Sequence, residues 1–162
     1  MPDFNSTIVV GKIRQTEICN IIKKKYPSAY VVDGYFKGYD IYVPEANQSV
    51  EVKQDYKSKY TGNFVVEMEF DFQPSGLRTT TANWWVFVDR ELFIWITPNS
   101  LRKLISNLSI SPAIFIGTGD TKEKTAYLLP KDKLISFPDA FVVKRKNEDT
   151  YDSNSRRELS SR

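Results

Sequence analysis

Residues 38–53 read GYDIYVPEANQSVEVK, and the fold prediction starts from this stretch. Apolar and polar side chains alternate on both sides of the central PEANQ segment, which is typical of two strands over an apolar interior. The connection of about five residues favours an antiparallel pair. Asp40 lies on the first strand, and Glu51 and Lys53 lie on the second. Period-two alternation predicts that these three side chains share one face.

A helix is predicted ahead of this pair, from about Val10 to Tyr26, because Pro27 disfavours its continuation. Its apolar residues recur at three- and four-residue spacing: Ile13, Ile18, Ile21 and Ile22. Glu17 lies four residues after Ile13 and four before Ile21. We therefore expect the Glu17 carboxylate to face the interior.

The rest of the chain predicts an α/β domain over residues 1–143, with a mixed central β-sheet flanked by α-helices. Thr97 followed by Pro98 is typical of a helix start, and this helix is predicted to end near Leu108. Residues 144–162 are polar and predict a disordered tail. The patterns favour strands at Tyr30–Phe36, Tyr39–Val43, Ser49–Lys53, Asn63–Phe70, Trp84–Val88, Leu92–Ile96, Ala113–Ile116 and Thr125–Leu129, and short helical turns within Leu77–Asn83.

Composition excludes several classes of enzyme. The chain has no histidine, which excludes His-based metal nucleases, His-dependent triads and H-E-x-x-H zinc sites. A P-loop motif is missing as well. The single cysteine, Cys19, suits a reducing compartment, and no stretch has the length of a membrane span, so we expect an intracellular protein. The net charge of +3 lies largely in residues 144–162, so any attraction to phosphates must come from local patches.

Two carboxylates beside a lysine suit the hydrolysis of a phosphodiester. That reaction needs an activated water and neutralisation of the charge that grows on the phosphate. Mg²⁺ prefers oxygen ligands and commonly takes one or two carboxylates with waters, which Asp40 and Glu51 can supply. Lys53 can then hold the attacking water and offset phosphate charge.

Asp40 and the Glu51-Val52-Lys53 triplet resemble the PD-(D/E)XK nuclease superfamily, although Tyr39 stands where the motif name has proline. The resemblance covers roughly residues 10 to 97. It implies a restriction-endonuclease-like fold, Mg²⁺ (with Mn²⁺ as a substitute) and DNA as substrate, cut by an endonuclease or resolvase-like activity. It also implies a further metal ligand on the preceding helix, a position that Glu17 occupies in order. Many relatives of this size act as homodimers.

A second set of residues resembles phage-type nuclease-like proteins, in the order T-G-N, E-x-E, P-S-G and T-T. These elements are Thr61-Gly62-Asn63, Glu67-Met68-Glu69, Pro74-Ser75-Gly76 and Thr79-Thr80. The chain offers candidate DNA contacts at Lys12, Arg14, Lys57, Lys59, Ser75, Arg78, Thr79 and Thr80. A solvated surface and a locally hydrogen-bonded polar loop explain the same residues equally simply. Glu67 is either part of a solvated sheet face or a second metal or substrate contact.

Two functions therefore remain open. The first is a Mg²⁺-dependent deoxyribonuclease. The second is a catalytically inactive nucleic-acid-binding or structural protein that retains the nuclease fold. The pattern of Asp40, Glu51 and Lys53 favours the first. It fails as an argument if the three side chains do not come together in space.

Overall fold

A computed structural model describes residues 4–34, 38–54, 61–117 and 119–146. In chain order its elements are α1 (Phe4–Lys23), β1 (Tyr30–Val31), β2 (Ile41–Val43), β3 (Gln48–Gln54), β4 (Asn63–Phe70), β5 (Gln73–Pro74), β6 (Trp84–Val88), β7 (Leu92–Ile96), α2 (Pro98–Leu108), β8 (Ala113–Ile116), β9 (Glu123–Pro130), α3 (Lys131–Ile135) and β10 (Phe141–Lys144). Short 3₁₀ turns cover Pro44–Ala46 and Gly76–Arg78.

In these residues the strands form two sheets. The large sheet has six strands in the order β1-β2-β3-β6-β7-β10, and the small sheet has four in the order β5-β4-β9-β8. In the large sheet β3 and β6 are parallel and the other neighbours are antiparallel, so this sheet is mixed. The small sheet is antiparallel throughout. The prediction of an α/β fold with a mixed sheet is confirmed.

Two apolar cores lie on opposite faces of the large sheet. Helix α1 covers one face, where Ile18 and Cys19 pack against Ile41, Val50 and other strand residues. The other face packs against the small sheet and α2, and its core includes Trp85, Phe87, Phe64, Val66, Leu101 and Leu129. The sequence predicted helices on both sides of a central sheet. The second face of the large sheet is covered by the small sheet as well as by helix α2.

Helix α1 packs only part of the predicted stripe against the sheet, namely Ile18 and Ile22. Ile18 and Cys19 are buried, but the side chains of Ile13 and Ile21 are 45% and 41% exposed. The stripe in contact with the core therefore runs through Ile18, Cys19 and Ile22. The helix also spans Phe4–Lys23 and ends earlier than the predicted Tyr26. Ile18 and Ile22 belong to both the predicted and the observed stripe, and periodicity alone could not show that Ile13 and Ile21 lie outside the core.

Several boundaries agree with the sequence patterns. Strands β4, β6, β7 and β8 have the predicted limits, and α2 ends at Leu108 as predicted. The Thr97 side chain accepts a hydrogen bond from Ser100 N, which confirms Thr97 as the N-cap of α2. In the described parts of the chain, no helix is both long and apolar enough to cross a membrane.

Ordered structure continues past the predicted start of the tail. Strand β10 pairs with β7 and includes Lys144, and Arg145 is 91% buried beyond it, with 9% exposed. The tail boundary predicted at Lys144 is therefore too early. Residues 147–162 lie outside the described residues. The sequence reasoning missed β10 because Phe141–Lys144 is a short edge strand next to a highly charged segment.

Candidate active site

The parallel pairing of β3 and β6 creates a polar end of the large sheet. Lys53 is paired with Phe87 and Gln54 with Val88, so both strands finish side by side, and Asp89 follows β6 directly. We call this the carboxyl end of the large sheet. The opposite end, where β3 and β6 start at Gln48 and Trp84, is its amino end.

The expected antiparallel pair of β2 and β3 is present, and it carries an irregularity at Asp40. Ile41 pairs with Val50, yet Asp40 N also donates to Val50 O at 2.9 Å. Two consecutive residues thus oppose one, as in a β-bulge. Bulges redirect a side chain out of the regular alternation. Asp40 therefore leaves the face that period-two alternation assigned to it.

The Asp40 carboxylate is buried, with 6% of the residue exposed. Its Oδ2 accepts a hydrogen bond from Val52 N at 2.8 Å, and its Oδ1 accepts one from Gln15 Nε2 at 3.1 Å. The carboxylate thus lies against the Glu51–Val52 peptide group and reaches toward α1. Each carboxylate oxygen thus accepts a hydrogen bond from a different element, β3 or α1, and the two bonds together set the orientation of the carboxylate.

Glu51 and Lys53 point to the other face of β3. They lie beside Trp85 and Phe87, which belong to the core between the two sheets. Lys53 Nζ lies 3.3 Å from Glu51 Oε1 and 4.9 Å from the centre of the Trp85 ring. The shared face predicted for the three residues holds for Glu51 and Lys53 and does not extend to Asp40. Asp40 instead contacts the backbone of β3, at Val52 N.

Glu17 has different partners from those expected. Its Oε1 accepts from Arg145 Nε at 2.9 Å, and its Oε2 accepts from Arg145 at 3.0 Å and from Arg14 at 2.6 Å. Arg145 also donates to the backbone oxygen of Asp89 at 3.1 Å, and Asp89 pairs with Lys131 at 2.8 Å. This network joins α1, β6, β10 and α3. Glu17 is therefore a member of an ionic network, and both of its carboxylate oxygens accept from arginines.

The structure reveals three polar residues of the carboxyl end that the sequence reasoning missed: Gln15, Asp89 and Arg145. Gln15 precedes the buried Ile18 and Cys19 by three and four residues, which places it on the sheet-facing side of α1. This spacing was a usable signal once the correct stripe was known. Arg145 gave no local signal, because its burial depends on the pairing of β10 with β7.

The loop expected to contact DNA is held by local interactions. Ser75 Oγ donates to Glu67 at 2.9 Å, and Arg78 pairs with Glu69. Thr80 Oγ1 accepts from Trp85 Nε1 at 3.0 Å. These contacts favour the locally hydrogen-bonded loop over a backbone-binding one. Thr79 is exposed, and Lys57 and Lys59 lie outside the described residues.

Glu67 belongs to this loop region and not to the carboxyl end. Besides Ser75, it pairs with Lys124 at 3.5 Å. The neighbouring Gly76 has a φ of +54°, and a Cβ there would lie 2.1 Å from Glu67 O. Only glycine permits this close approach of the loop to β4. The E-x-E and P-S-G elements thus come together for a packing reason.

Asp40 and Glu51 carry the type of ligand that Mg²⁺ prefers, commonly one or two carboxylates with waters. Asp40 lies against the Glu51–Val52 peptide group, whereas the Glu51 side chain pairs with Lys53 on the face toward the small sheet. The third predicted ligand, Glu17, is held by two arginines. Within the described ranges, no three Asp, Glu, His or Cys side chains come together as a group that could hold a metal ion.

Comparison of the chain with protein-family models, with curated proteins and with solved structures gave no match.

Proposed function

We propose that this protein is a metal-dependent phosphodiesterase that cleaves DNA, with Asp40, Glu51 and Lys53 at its active site. One observation carries the proposal. The Asp40 carboxylate lies against the Glu51–Val52 peptide group, 2.8 Å from Val52 N, and Lys53 Nζ lies 3.3 Å from Glu51. The last four residues of β3 thus have the Asp40 carboxylate at their backbone and the Glu51–Lys53 pair on the face toward the small sheet.

The proposal includes a restriction-endonuclease-like fold. Support comes from the order of elements around the site. Helix α1 precedes the antiparallel strands β1, β2 and β3 and packs against their sheet. The neighbour of β3 on its other side is the parallel strand β6. The site lies where these parallel strands end, which is the usual place for ligands in open α/β sheets.

Each residue has a distinct part in the proposed reaction. Asp40 and Glu51 would hold Mg²⁺ or Mn²⁺, which when bound activates water and neutralises phosphate charge. Lys53 would hold the attacking water and stabilise charge on the phosphate. Its pairing with Glu51 keeps the ammonium at the site, and the Trp85 ring beneath it restricts its motion.

The test is a cleavage assay with matched variants. The purified protein is incubated with linear, supercoiled, single-stranded and four-way-junction DNA, in Mg²⁺, Mn²⁺ or EDTA. We expect cleavage of at least one substrate with a divalent ion and none in EDTA. Glu45→Gln is the matched control, because Glu45 is an exposed carboxylate beyond β2 that contacts Ser28 N. Cleavage in EDTA, or full activity of Asp40→Asn, would remove the proposal.

The alternative is a DNA-binding or structural protein without turnover. The ion pairs favour it. Glu51 is paired with Lys53, and Glu17 and Asp89 are paired with Arg145 and Lys131. Carboxylates that are already neutralised by lysine and arginine need no metal ion. Binding of DNA without cleavage in any divalent ion would support this alternative.

A further inference from the structure

The side chain of Gln15, on helix α1, reaches the Asp40 carboxylate. Its Nε2 lies 3.1 Å from Asp40 Oδ1. Gln15 is half-buried and stands on the same side of α1 as Ile18 and Cys19, which pack against the sheet. The packing of Ile18 and Cys19 against the sheet therefore holds the part of α1 that carries Gln15.

A buried carboxylate needs donors from the protein. Asp40 is 6% exposed, and its two oxygens receive donors from different elements, Val52 N from β3 and Gln15 Nε2 from α1. Removing the Gln15 donor would leave Oδ1 without this partner and let the carboxylate rotate about the bond held by Val52. Groups that orient a ligand in this way typically change metal affinity or activity by roughly ten- to a hundredfold.

Glu17, two residues after Gln15 on the same helix, has charged donors in place of an amide. It is held by Arg145 and Arg14, which are cations. The donor that Gln15 gives to Asp40 is a neutral amide, so it orients the carboxylate without adding a charge of its own.

We propose that Gln15 is a positioning residue of the active site, which orients Asp40 for metal binding in place of the helix glutamate that the sequence suggested. This inference rests on the proposed function, because it assumes that Asp40 is a metal ligand. Gln15 acts through Asp40 and is not itself a ligand. Its loss should therefore weaken metal binding and leave the affinity for DNA unchanged.

The experiment is calorimetric titration of the full-length protein with MgCl₂. Gln15→Met removes the amide and keeps the length of the side chain. Gln48→Met is the matched control, since the Gln48 amide oxygen accepts a hydrogen bond from Trp84 Nε1 at the amino end of the same sheet. We expect the Mg²⁺ dissociation constant to rise about tenfold or more in Gln15→Met. We expect it to change less than about twofold in Gln48→Met, because Gln48 starts β3 and Asp40 contacts the other end of that strand.

Two further measurements separate positioning from a general structural role. Urea unfolding of both variants reports stability, and cleavage kinetics report kcat and KM. A positioning role predicts a lower kcat at an unchanged KM for DNA, together with the weaker Mg²⁺ binding. If Gln15→Met does not fold, Gln15→Ala provides the same test, because alanine favours the helix.

The outcomes distinguish this inference from the proposed function. Wild-type Mg²⁺ affinity in Gln15→Met, with lost affinity in Asp40→Asn, would overturn the role of Gln15 and leave the proposed site standing. Unchanged Mg²⁺ affinity in Asp40→Asn would overturn the proposed site itself. Equal losses of Mg²⁺ affinity in Gln15→Met and Gln48→Met would show a general loss of structure and would also overturn the positioning role.

Discussion

The two ends of the large sheet are built from the same strands and have opposite chemistry. The carboxyl end gathers charged groups, among them Asp40, Lys53 and Asp89. The amino end holds an open cavity of about 280 Å³ with an apolar lining. The lining residues are Ile22, Tyr26, Val43, Ala46, Gln48, Val50, Trp84, Trp95 and Phe141. At that end the Trp84 indole donates to Gln48 Oε1 at 2.9 Å.

The contrast shows how parallel pairing concentrates polar groups. Because β3 and β6 run in the same direction, whatever follows their last residues is brought to one place. Strand β2, which is antiparallel to β3, adds its start, where Asp40 lies. Strand β10, which is antiparallel to β7, adds its end, which Arg145 follows. The alternation within each strand is similar at both ends. The difference arises from which strand ends meet.

The largest expected effect is on cleavage, at the carboxyl end. We expect Asp40→Asn and Lys53→Ala each to lower the cleavage rate on the order of a hundredfold or more. The two should differ in metal binding. Asp40→Asn removes a ligand charge and should weaken Mg²⁺ binding, whereas Lys53→Ala removes a cation beside Glu51 and should leave binding equal or tighter. Gel assays and calorimetry measure both. Undiminished cleavage by Lys53→Ala would break the contrast between the ends.

The next effect concerns stability at the same end. Arg145→Met should lower the free energy of unfolding by roughly 3–5 kcal/mol, because it leaves the half-buried Glu17 carboxylate without its main partner. Urea denaturation measures the loss. Removing both charges in Glu17→Leu/Arg145→Met should recover part of it.

A change at Glu17 distinguishes a role in stability from a role in metal binding. If Glu17 serves the fold, Glu17→Gln should lower stability and leave Mg²⁺ affinity unchanged. Glu45→Gln, an exposed carboxylate, is the control and should change stability by less than about 1 kcal/mol. A large fall of Mg²⁺ affinity in Glu17→Gln, with stability preserved, would restore Glu17 as a metal ligand.

A smaller effect is expected at the amino end. Trp84→Phe removes the hydrogen bond to Gln48 and should lower the free energy of unfolding by roughly 0.5–1 kcal/mol. Cleavage and Mg²⁺ affinity should remain at wild-type values, since the amino end lies at the far ends of β3 and β6. Thermal unfolding and the cleavage assay test the two statements. Loss of cleavage comparable to that in Lys53→Ala would show that the ends are not independent.

The smallest effect is expected at Cys19, a residue of α1 that packs against the large sheet. Burial raises the pKa of the Cys19 thiol, and the nearby Lys23 lowers it to a lesser degree. A raised pKa in the folded state stabilises the protein below the unfolded pKa of about 8.5, and this contribution is lost as the pH rises through the folded pKa. Wild type should therefore lose more stability than Cys19→Ala between pH 7 and pH 10. Equal losses in the two proteins, measured by urea denaturation, would contradict this.

Much of the fold could be predicted from local patterns. Strands β4, β6 and β7 have strong alternating or continuous apolar sequences, and the Thr97-Pro98 start of α2 is a local signal. The pair of β2 and β3 followed from a short connection. The small sheet as a separate layer was not predicted, because the pairing of β4 with β9 joins residues far apart in sequence.

The candidate residues could be chosen from the sequence, and their geometry could not. The spacing singled out Asp40, Glu51 and Lys53, and the structure has Asp40 at the backbone of β3 and the Glu51–Lys53 pair on one of its faces. Alternation could not foresee that Asp40 and Ile41 would both oppose Val50, because a bulge depends on how two strands pair. The same limit applies to α1. Its isoleucines span more than one face of the helix, and only packing against the sheet decided that Ile18 and Ile22 are inside and Ile13 and Ile21 outside.

The sequence by itself determined the residue types available for chemistry: carboxylates and lysines without histidine, on strands whose periodicity was clear. Tertiary structure decided which of them meet. Arg145 comes to Glu17 across 128 residues of chain, and Gln15 comes to Asp40 across 25. Such contacts leave no periodic trace in the sequence, because the energy that orders them is the burial of charge and amide groups at an interface between elements. That interface exists only when the sheet and the helix have packed.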